Sequence, residues 1–395
     1  MKILFLHPNF PGQFKYIARA ASKHHDTKFL CQTHYGRVIN GVERLTLKGK
    51  LGNEHLDELK IWGLQRNQEL AKQYRKAFLS LKEQRWTPDL VISHSGWGCG
   101  SYVKEIWPKT RLISYLEWWF APNSSFFTYD ESNEELGINS GSIHKQWSRN
   151  QTIALELSCS DKIVSPTLWQ REQLPGILRD NCQVIFDGVD TDIFKKKTTK
   201  EPSNTKIVTY GTRGMDPMRA FPQFIRGLPH LIKSDPNIRI EVAGFNETFY
   251  SPTKKIDDKS WGEWATNYLK RNHVNDKVKW MGHLKGQQYV DWLQNSDCHI
   301  YLTHPFIASW SYVEAIACNI PIVASDVEPV REFWKPNNGI ELVDHRVDNF
   351  LTVTTLKQLS DAHGMENRAV EGVLDIRTSL KAWSDVAHID LHTID

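Results

Sequence analysis

What most constrains this chain is a repeated alternation. Short, largely apolar segments are each followed by a longer stretch whose apolar positions fall at helical spacing. Ile3-Leu4-Phe5-Leu6 comes first, and Phe14, Ile17, Ala18 and Ala21 follow it on one helical face. Leu90-Val91-Ile92-Ser93, Arg111-Leu112-Ile113-Ser114-Tyr115, Lys162-Ile163-Val164-Ser165 and Cys182-Gln183-Val184-Ile185 continue the series. A strand that is apolar on both faces has to be covered on both, and helical crossovers do that covering. The pattern therefore specifies an α/β fold with parallel sheets.

The alternation is interrupted once. Lys195-Lys196-Lys197-Thr198-Thr199-Lys200-Glu201-Pro202-Ser203-Asn204 has the composition of a linker. The pattern then restarts, with strands expected at 206–210, 239–244, 278–282, 299–302 and 321–325 and helices at 221–232 and 311–318. At roughly 100–200 residues per domain, a chain of 395 residues has room for two such units. We expect one Rossmann-like domain over 1–195, a second over 196–365, and a helical segment over 366–395 that packs back on the first, anchored by Trp383.

Composition excludes several classes. Lys and Arg (49) nearly balance Asp and Glu (46), leaving a net charge of +3 and no drive towards nucleic acid. No run of about 18 apolar residues exists, so no membrane span is expected; peripheral membrane contact stays compatible with the sequence. The apolar N-terminus meets His7-Pro8-Asn9 too soon for a signal peptide, and the six cysteines contain no Cys-x-x-Cys pair, so a cytoplasmic chain with free thiols is expected. The 15 tryptophans are unusual, because Trp makes a good wall for a carbohydrate or a lipid. Trp97, Trp118, Trp119 and Trp310 fall in loops after strands and are expected at the site; the others are expected to pack.

In open α/β sheets, ligands bind beyond the carboxyl ends of the strands. Residues 301–326 read as strand, loop, helix, turn and strand. Ser309 or Ser311 can cap that helix, and the loop amides suit a diphosphate. Glu314, expected in the first helical turn, can accept two vicinal hydroxyls such as those of a ribose. Arg213 and Arg219 follow the strand at 206–210, where two guanidinium groups can bracket a diphosphate and neutralise a leaving group without a metal. Gly12 follows the first strand, where the missing Cβ lets backbone approach phosphates. His94 follows the strand at 90–93, placed for a donor sugar or an acceptor hydroxyl. The stretch Tyr115-Leu116-Glu117-Trp118-Trp119-Phe120 offers an acceptor-side wall, with Glu117, Trp118 and Trp119 as its candidates. The acidic run 130–135 is expected to be a solvated loop. No metal is expected: His299 and His304 have no Asp-x-Asp beside them, and Asp190-Thr191-Asp192 falls at the domain junction as a structural element.

The segment Glu314-Ala315-Ile316-Ala317-Cys318-Asn319-Ile320-Pro321-Ile322-Val323-Ala324-Ser325-Asp326 resembles the C-terminal half of a GT-B glycosyltransferase of family GT4, group 1. The resemblance continues through Val330-Arg331-Glu332, Tyr210-Gly211-Thr212-Arg213 with Arg219-Ala220-Phe221, and Phe186-Asp187-Gly188-Val189-Asp190. His7-Pro8-Asn9-Phe10-Pro11-Gly12-Gln13-Phe14 and His94-Ser95-Gly96-Trp97-Gly98 are similar to a bacterial subgroup of that family. The resemblance implies two Rossmann-like domains facing across a cleft. It implies retaining transfer of a sugar from a UDP- or GDP-sugar, with no metal or other cofactor, to a glycan, lipid-linked or small-molecule acceptor hydroxyl. It also implies that Met281–Leu284 holds the base through backbone, with Leu284 beside it, that Ser309, Trp310, Ser311 and Tyr312 form the donor loop, and that His94 is the active-site histidine. One departure stands out: Phe306 occupies the place of the first Glu of the family's Glu-x7-Glu pattern, which normally contacts the donor sugar. Two alternatives therefore stay open, a nucleotide-sugar-binding protein that has lost transfer and a nucleotide-sugar epimerase on the same fold.

Overall fold

In the computed structural model, which describes residues 1–197, 203–251, 256, 258–336, 338–361 and 374–391, two sheets organise the chain. The first has seven strands: β1 (Lys2–Leu6), β2 (Asp26–Cys31), β3 (Val42–Thr46), β4 (Leu90–His94), β5 (Arg111–Tyr115), β6 (Lys162–Ser165) and β7 (Cys182–Val184). Their order is β3-β2-β1-β4-β5-β6-β7, and every pairing is parallel. The second has six: β8 (Lys206–Gly214), β9 (Ile238–Phe245), β10 (Val278–Gly282), β11 (Cys298–Tyr301), β12 (Ile322–Ser325) and β13 (Ile340–Val343). Their order is β10-β9-β8-β11-β12-β13, again all parallel. Each sheet reverses its winding once, between β1 and β4 in one and between β8 and β11 in the other.

Both faces of the first sheet are covered, as an all-parallel sheet requires. Ile3 and Phe5 of β1 point into a core with Ile92, Ile113 and the helix Lys15–Ala21, while Leu4 and Leu6 point into another with Leu70, Tyr74 and Phe78. Three strands were not visible as apolar runs. β2 is Asp26-Thr-Lys-Phe-Leu-Cys, and the edge strands β3 and β13 interleave charges with apolar residues because their outer sides meet solvent.

The chain forms two discontinuous compact units. One comprises Met1–Ser124, Ser142–Gly188 and Ile376–Asp395; the other comprises Ser125–Gly141 and Val189–Asp375. The division falls at Gly188, ahead of the polar stretch at 195–204, of which 198–202 lie outside the described residues. The helix Ile376–Ala387 belongs to the first unit, and Trp383, 1% exposed, lies in its core beside Phe5, Phe14 and Tyr115. Residues 366–373 and 392–395 of the expected C-terminal segment lie outside the described residues.

The acidic run 130–135 differs from the solvated loop expected. Within the second unit, Glu135 pairs with Arg226 through both carboxylate oxygens. Asn133 caps a turn by donating to Asp130 (2.7 Å) and accepting from the Glu135 amide (3.0 Å). Just ahead, Tyr129 packs on His304 and His345 and lies under the Arg346 guanidinium at 4.1 Å.

Candidate functional site

The winding reversals are where a doubly wound sheet opens a crevice at its carboxyl edge. In the first unit the strands flanking that point are β1 and β4, and a histidine stands at the end of each. His7 follows β1. Its Nδ1 accepts from the Asn9 amide (2.8 Å), so the proton is on Nε2, which donates to Gln13 Oε1 (2.9 Å). That orients the Gln13 amide nitrogen towards Glu117, to whose Oε1 it donates (2.9 Å). His94 ends β4, with Nδ1 accepting from the Gly96 amide (3.2 Å) and Nε2 3.5 Å from Glu117 Oε2. The two imidazoles meet edge to face at 4.9 Å, and Trp97 closes against both. Burial, and then the neighbouring His94, hold the His7 pKa well below its ordinary value, so His7 is neutral.

Gly12 has a local reason for being glycine. Its φ is +51°, and a Cβ there would come within 2.6 Å of the His7 ring. His94 and Glu117, separately singled out from sequence, are brought together. His7 and Gln13 were missed as functional groups, although both lie in the motif around Gly12. Trp118 and Trp119 are corrected: they are 6% and 5% exposed, and Trp119 packs with Leu116, Ile153, Leu157 and Leu174. The Trp119 ring, held in the core, has no face to offer a sugar, and the Trp118 ring is buried against Phe120 and Trp169. The converse also occurs, since Trp62 was expected to pack and is 75% exposed.

In the second unit the crevice strands are β8 and β11. Beyond β8, Asp216 is fully buried and accepts from the amides of Met218 (2.9 Å), Phe249 (2.8 Å) and Tyr250 (2.7 Å), which fixes the short turn Pro217–Arg219. This turn presents Arg219, whose Nη1 donates to Tyr301 Oη (3.1 Å), Thr303 Oγ1 (2.8 Å) and the Ile307 carbonyl (2.9 Å). Its guanidinium also lies over the Tyr250 ring at 5.3 Å. One nitrogen of the guanidinium is thus committed to the protein, which fixes the plane of the group. Arg213 is different: it is exposed near the end of β8, stacked over Phe249 at 4.3 Å.

Tyr301 Oη also accepts from the Ser309 amide (2.7 Å). Ser309 is the N-cap of the helix Trp310–Ala317, its Oγ accepting from the Ser311 amide (3.2 Å). The Tyr312 amide donates to the Ser309 carbonyl (3.1 Å). The amides of Ser309, Ser311 and Tyr312, expected from sequence to be available, are therefore occupied, by Tyr301 Oη, Ser309 Oγ and the Ser309 carbonyl in turn. Glu314 is the fifth residue of the helix, not in its first turn as expected, and accepts from Tyr289 Oη (2.8 Å). Trp310 is half exposed. Phe306 packs between Phe126 (5.6 Å) and Tyr250 (5.8 Å). Leu284 lies just past β10, next to His283, whose ring stacks on Phe245 at 4.1 Å. Sequence reasoning missed Asp216, Tyr289 and Tyr301, since a lone Asp or Tyr near a strand end carries no pattern.

Among the described residues no group of three or more His, Cys, Asp or Glu side chains is placed to hold a metal ion. No helix among them is long and apolar enough to cross a membrane.

Two parallel α/β units, each with a cluster of polar groups at its winding reversal, define the GT-B class of fold. Residues 23–194 match the family described as "Glycosyl transferase family 4 group", and residues 190–357 match "Glycosyl transferases group 1". The chain belongs to the group 1 glycosyltransferases of family 4 and is an enzyme of that kind. No curated protein matches it. Solved structures agree in fold. Anabaena Alr3699/HepE in complex with UDP aligns over 98% of this chain and 99% of its own, at TM-score 0.66 and 15% identity. Sucrose-phosphate synthase from Thermosynechococcus elongatus aligns over 98% of both chains, at TM-score 0.69 and 13% identity. A glycosyltransferase from Rickettsia africae aligns over 98% and 97%, at TM-score 0.66 and 13% identity.

Proposed function

We propose that this enzyme transfers a sugar from a nucleoside-diphosphate sugar to an acceptor hydroxyl, with retention of configuration and without a metal. The observation that carries the reading is the Tyr301 hydroxyl. It ties the Arg219 guanidinium and the capped start of helix Trp310–Ala317 into one network at the crevice of the second unit. Both elements favour negative charge. A diphosphate leaving group develops its charge there, and groups held in place beforehand stabilise it without reorganising. Arg213 supplements Arg219, and Ser309, Trp310, Ser311 and Tyr312 line the phosphates. Glu314 takes the ribose hydroxyls, and backbone beside Leu284 takes the base. In the first unit, the turn at Gly12 shapes the end of β1, and His94 with Glu117 orients sugar or acceptor hydroxyls. HepE, of the same fold, has been solved with UDP-glucose, which makes a UDP-sugar the first donor to try.

The test is a transfer and donor-hydrolysis assay over UDP- and GDP-sugars. Turnover is expected with one of them, and Arg219→Lys is expected to lower kcat about a hundredfold while the melting temperature moves by only a few degrees. Unchanged turnover in that variant overturns the role of Arg219. A second reading is favoured by Phe306, packed between two aromatic rings where the family carries a carboxylate. On that reading the protein binds a nucleotide sugar and does not transfer it; nucleotide binding without turnover on any donor supports it.

A further inference from the structure

Backbone hydrogen bonding ends where strands end, so the loops beyond β11, β12 and β13 need other fastening. A line of buried side chains supplies it and leads to Arg219. Arg219 Nη1 donates to Thr303 Oγ1 (2.8 Å), and that hydroxyl in turn donates to the His304 carbonyl (2.9 Å). The Thr303 amide donates to Ser325 Oγ (2.9 Å), and Ser325 Oγ meets His345 Nδ1 at 2.9 Å. The His345 ring is then wedged edge to face against His304 at 4.8 Å, with Tyr129 beside both. Thr303 and Ser325 are fully buried, and His304 and His345 nearly so. Thr303 follows β11, Ser325 ends β12, and His345 follows β13. The three strands on one side of the winding reversal are therefore laced together behind a single guanidinium.

We propose that Ser325 and His345 are positioning residues for Arg219, acting through Thr303. The inference rests on the reading of Arg219 as a diphosphate-binding group. Three features of the line support it over simple core packing. First, the line is polar throughout: Ser325 Oγ gives the Thr303 amide, past the end of β11, an acceptor that Val or Ala would not. Second, Thr303 is used at two points, its amide by Ser325 and its hydroxyl by Arg219, so a shift at Ser325 moves the acceptor of Arg219 directly. Third, the other two acceptors of the same nitrogen, Tyr301 Oη and the Ile307 carbonyl, do not run to Ser325 or His345, which leaves Thr303 as the only link from Arg219 Nη1 to those two residues among these contacts. The lacing sets how the guanidinium faces a diphosphate, and the binding of the nucleoside does not depend on it.

That distinction gives the test. Affinities are measured by calorimetry for UDP against uridine and for GDP against guanosine, using whichever pair the unmodified enzyme binds more tightly. The ratio of diphosphate to nucleoside affinity reports the phosphate contacts alone. Ser325→Ala and His345→Leu are expected to lower that ratio about tenfold, with nucleoside affinity unchanged. Ser325→Thr and His345→Asn, which keep a hydrogen-bonding atom near the same place, are expected to restore most of it. Arg219→Lys is run alongside. If that variant keeps the full ratio, the reading of Arg219 itself fails. If it loses the ratio while Ser325→Ala and His345→Leu keep it, the positioning role is overturned and the reading stands. If those two variants lose nucleoside and diphosphate affinity equally, the lacing is structural only and the proposal is likewise overturned.

Discussion

Single residues carry much of this site's geometry. At Gly12 a methyl group meets the His7 ring and the backbone is left-handed. Gly12→Ala is expected to cost about 2 kcal/mol from the backbone strain and the clash together, read by urea titration, and to release Gln13 from His7. Glu314 accepts from Tyr289, so Glu314→Gln should weaken UDP or GDP binding about tenfold by calorimetry, and Tyr289→Phe should weaken it less; unchanged affinity in both removes the ribose role. How legible these residues were follows from their chemistry. His94, Glu117, Arg219 and Glu314 stand in recognisable contexts beside strand ends. His7, Gln13 and Tyr301 act through partners far off in sequence, as Gln13 does on Glu117, and no local spacing encodes such a pairing. Trp118 and Trp119 misled because an aromatic run after a strand reads the same whether its rings face outwards or into the core.

Elements were legible where burial made them uniform. Central strands such as β1, β4 and β12 are buried from nearly end to end and stood out as apolar runs. The edge strands β3 and β13 pair on one side only, and their charges hide them. The helix Trp310–Ala317 was found nearly to the residue because a serine precedes an apolar run. Its cap also makes a prediction. Ser309→Ala removes the hydroxyl that holds the Ser311 amide, at a cost of about 1 kcal/mol in stability. If an anion displaces that hydroxyl on binding, the variant should bind UDP or GDP at least as tightly as the unmodified enzyme. A loss of affinity would mean that the hydroxyl itself contacts the phosphates.

At the scale of the molecule, buried imidazoles set the acid limit of the fold. Burial lowers the pKa of His299 and of His304 to about 3, and it depresses His7 and His345 as well. Unfolded histidines titrate near 6.5, so between that pH and about 3 the unfolded chain binds protons that the folded chain refuses. Stability is thus complete above pH 6.5 and falls as the pH drops, by up to about 1.4 kcal/mol per pH unit for each such histidine. Denaturant titrations at pH 7.5, 6 and 5 should show this decline, with His299→Asn flattening it; a flat profile in the unmodified protein would contradict the neutral burial.

The placement of the helix Ile376–Ala387 bears on how the chain is made. The first unit is begun by the opening residues, yet Trp383, Leu380 and Ile376 complete its core. A chain emerging from the ribosome at about 5–20 residues per second therefore exposes an unfinished apolar face on that unit throughout synthesis of the second. Removing the helix Ile376–Ala387, by a stop after residue 375, should leave the second unit able to fold and the first prone to aggregate. Trp383→Ala, at about 3–5 kcal/mol, should approach the same result. A helix translated after the second unit acts as the latch on a unit begun before it.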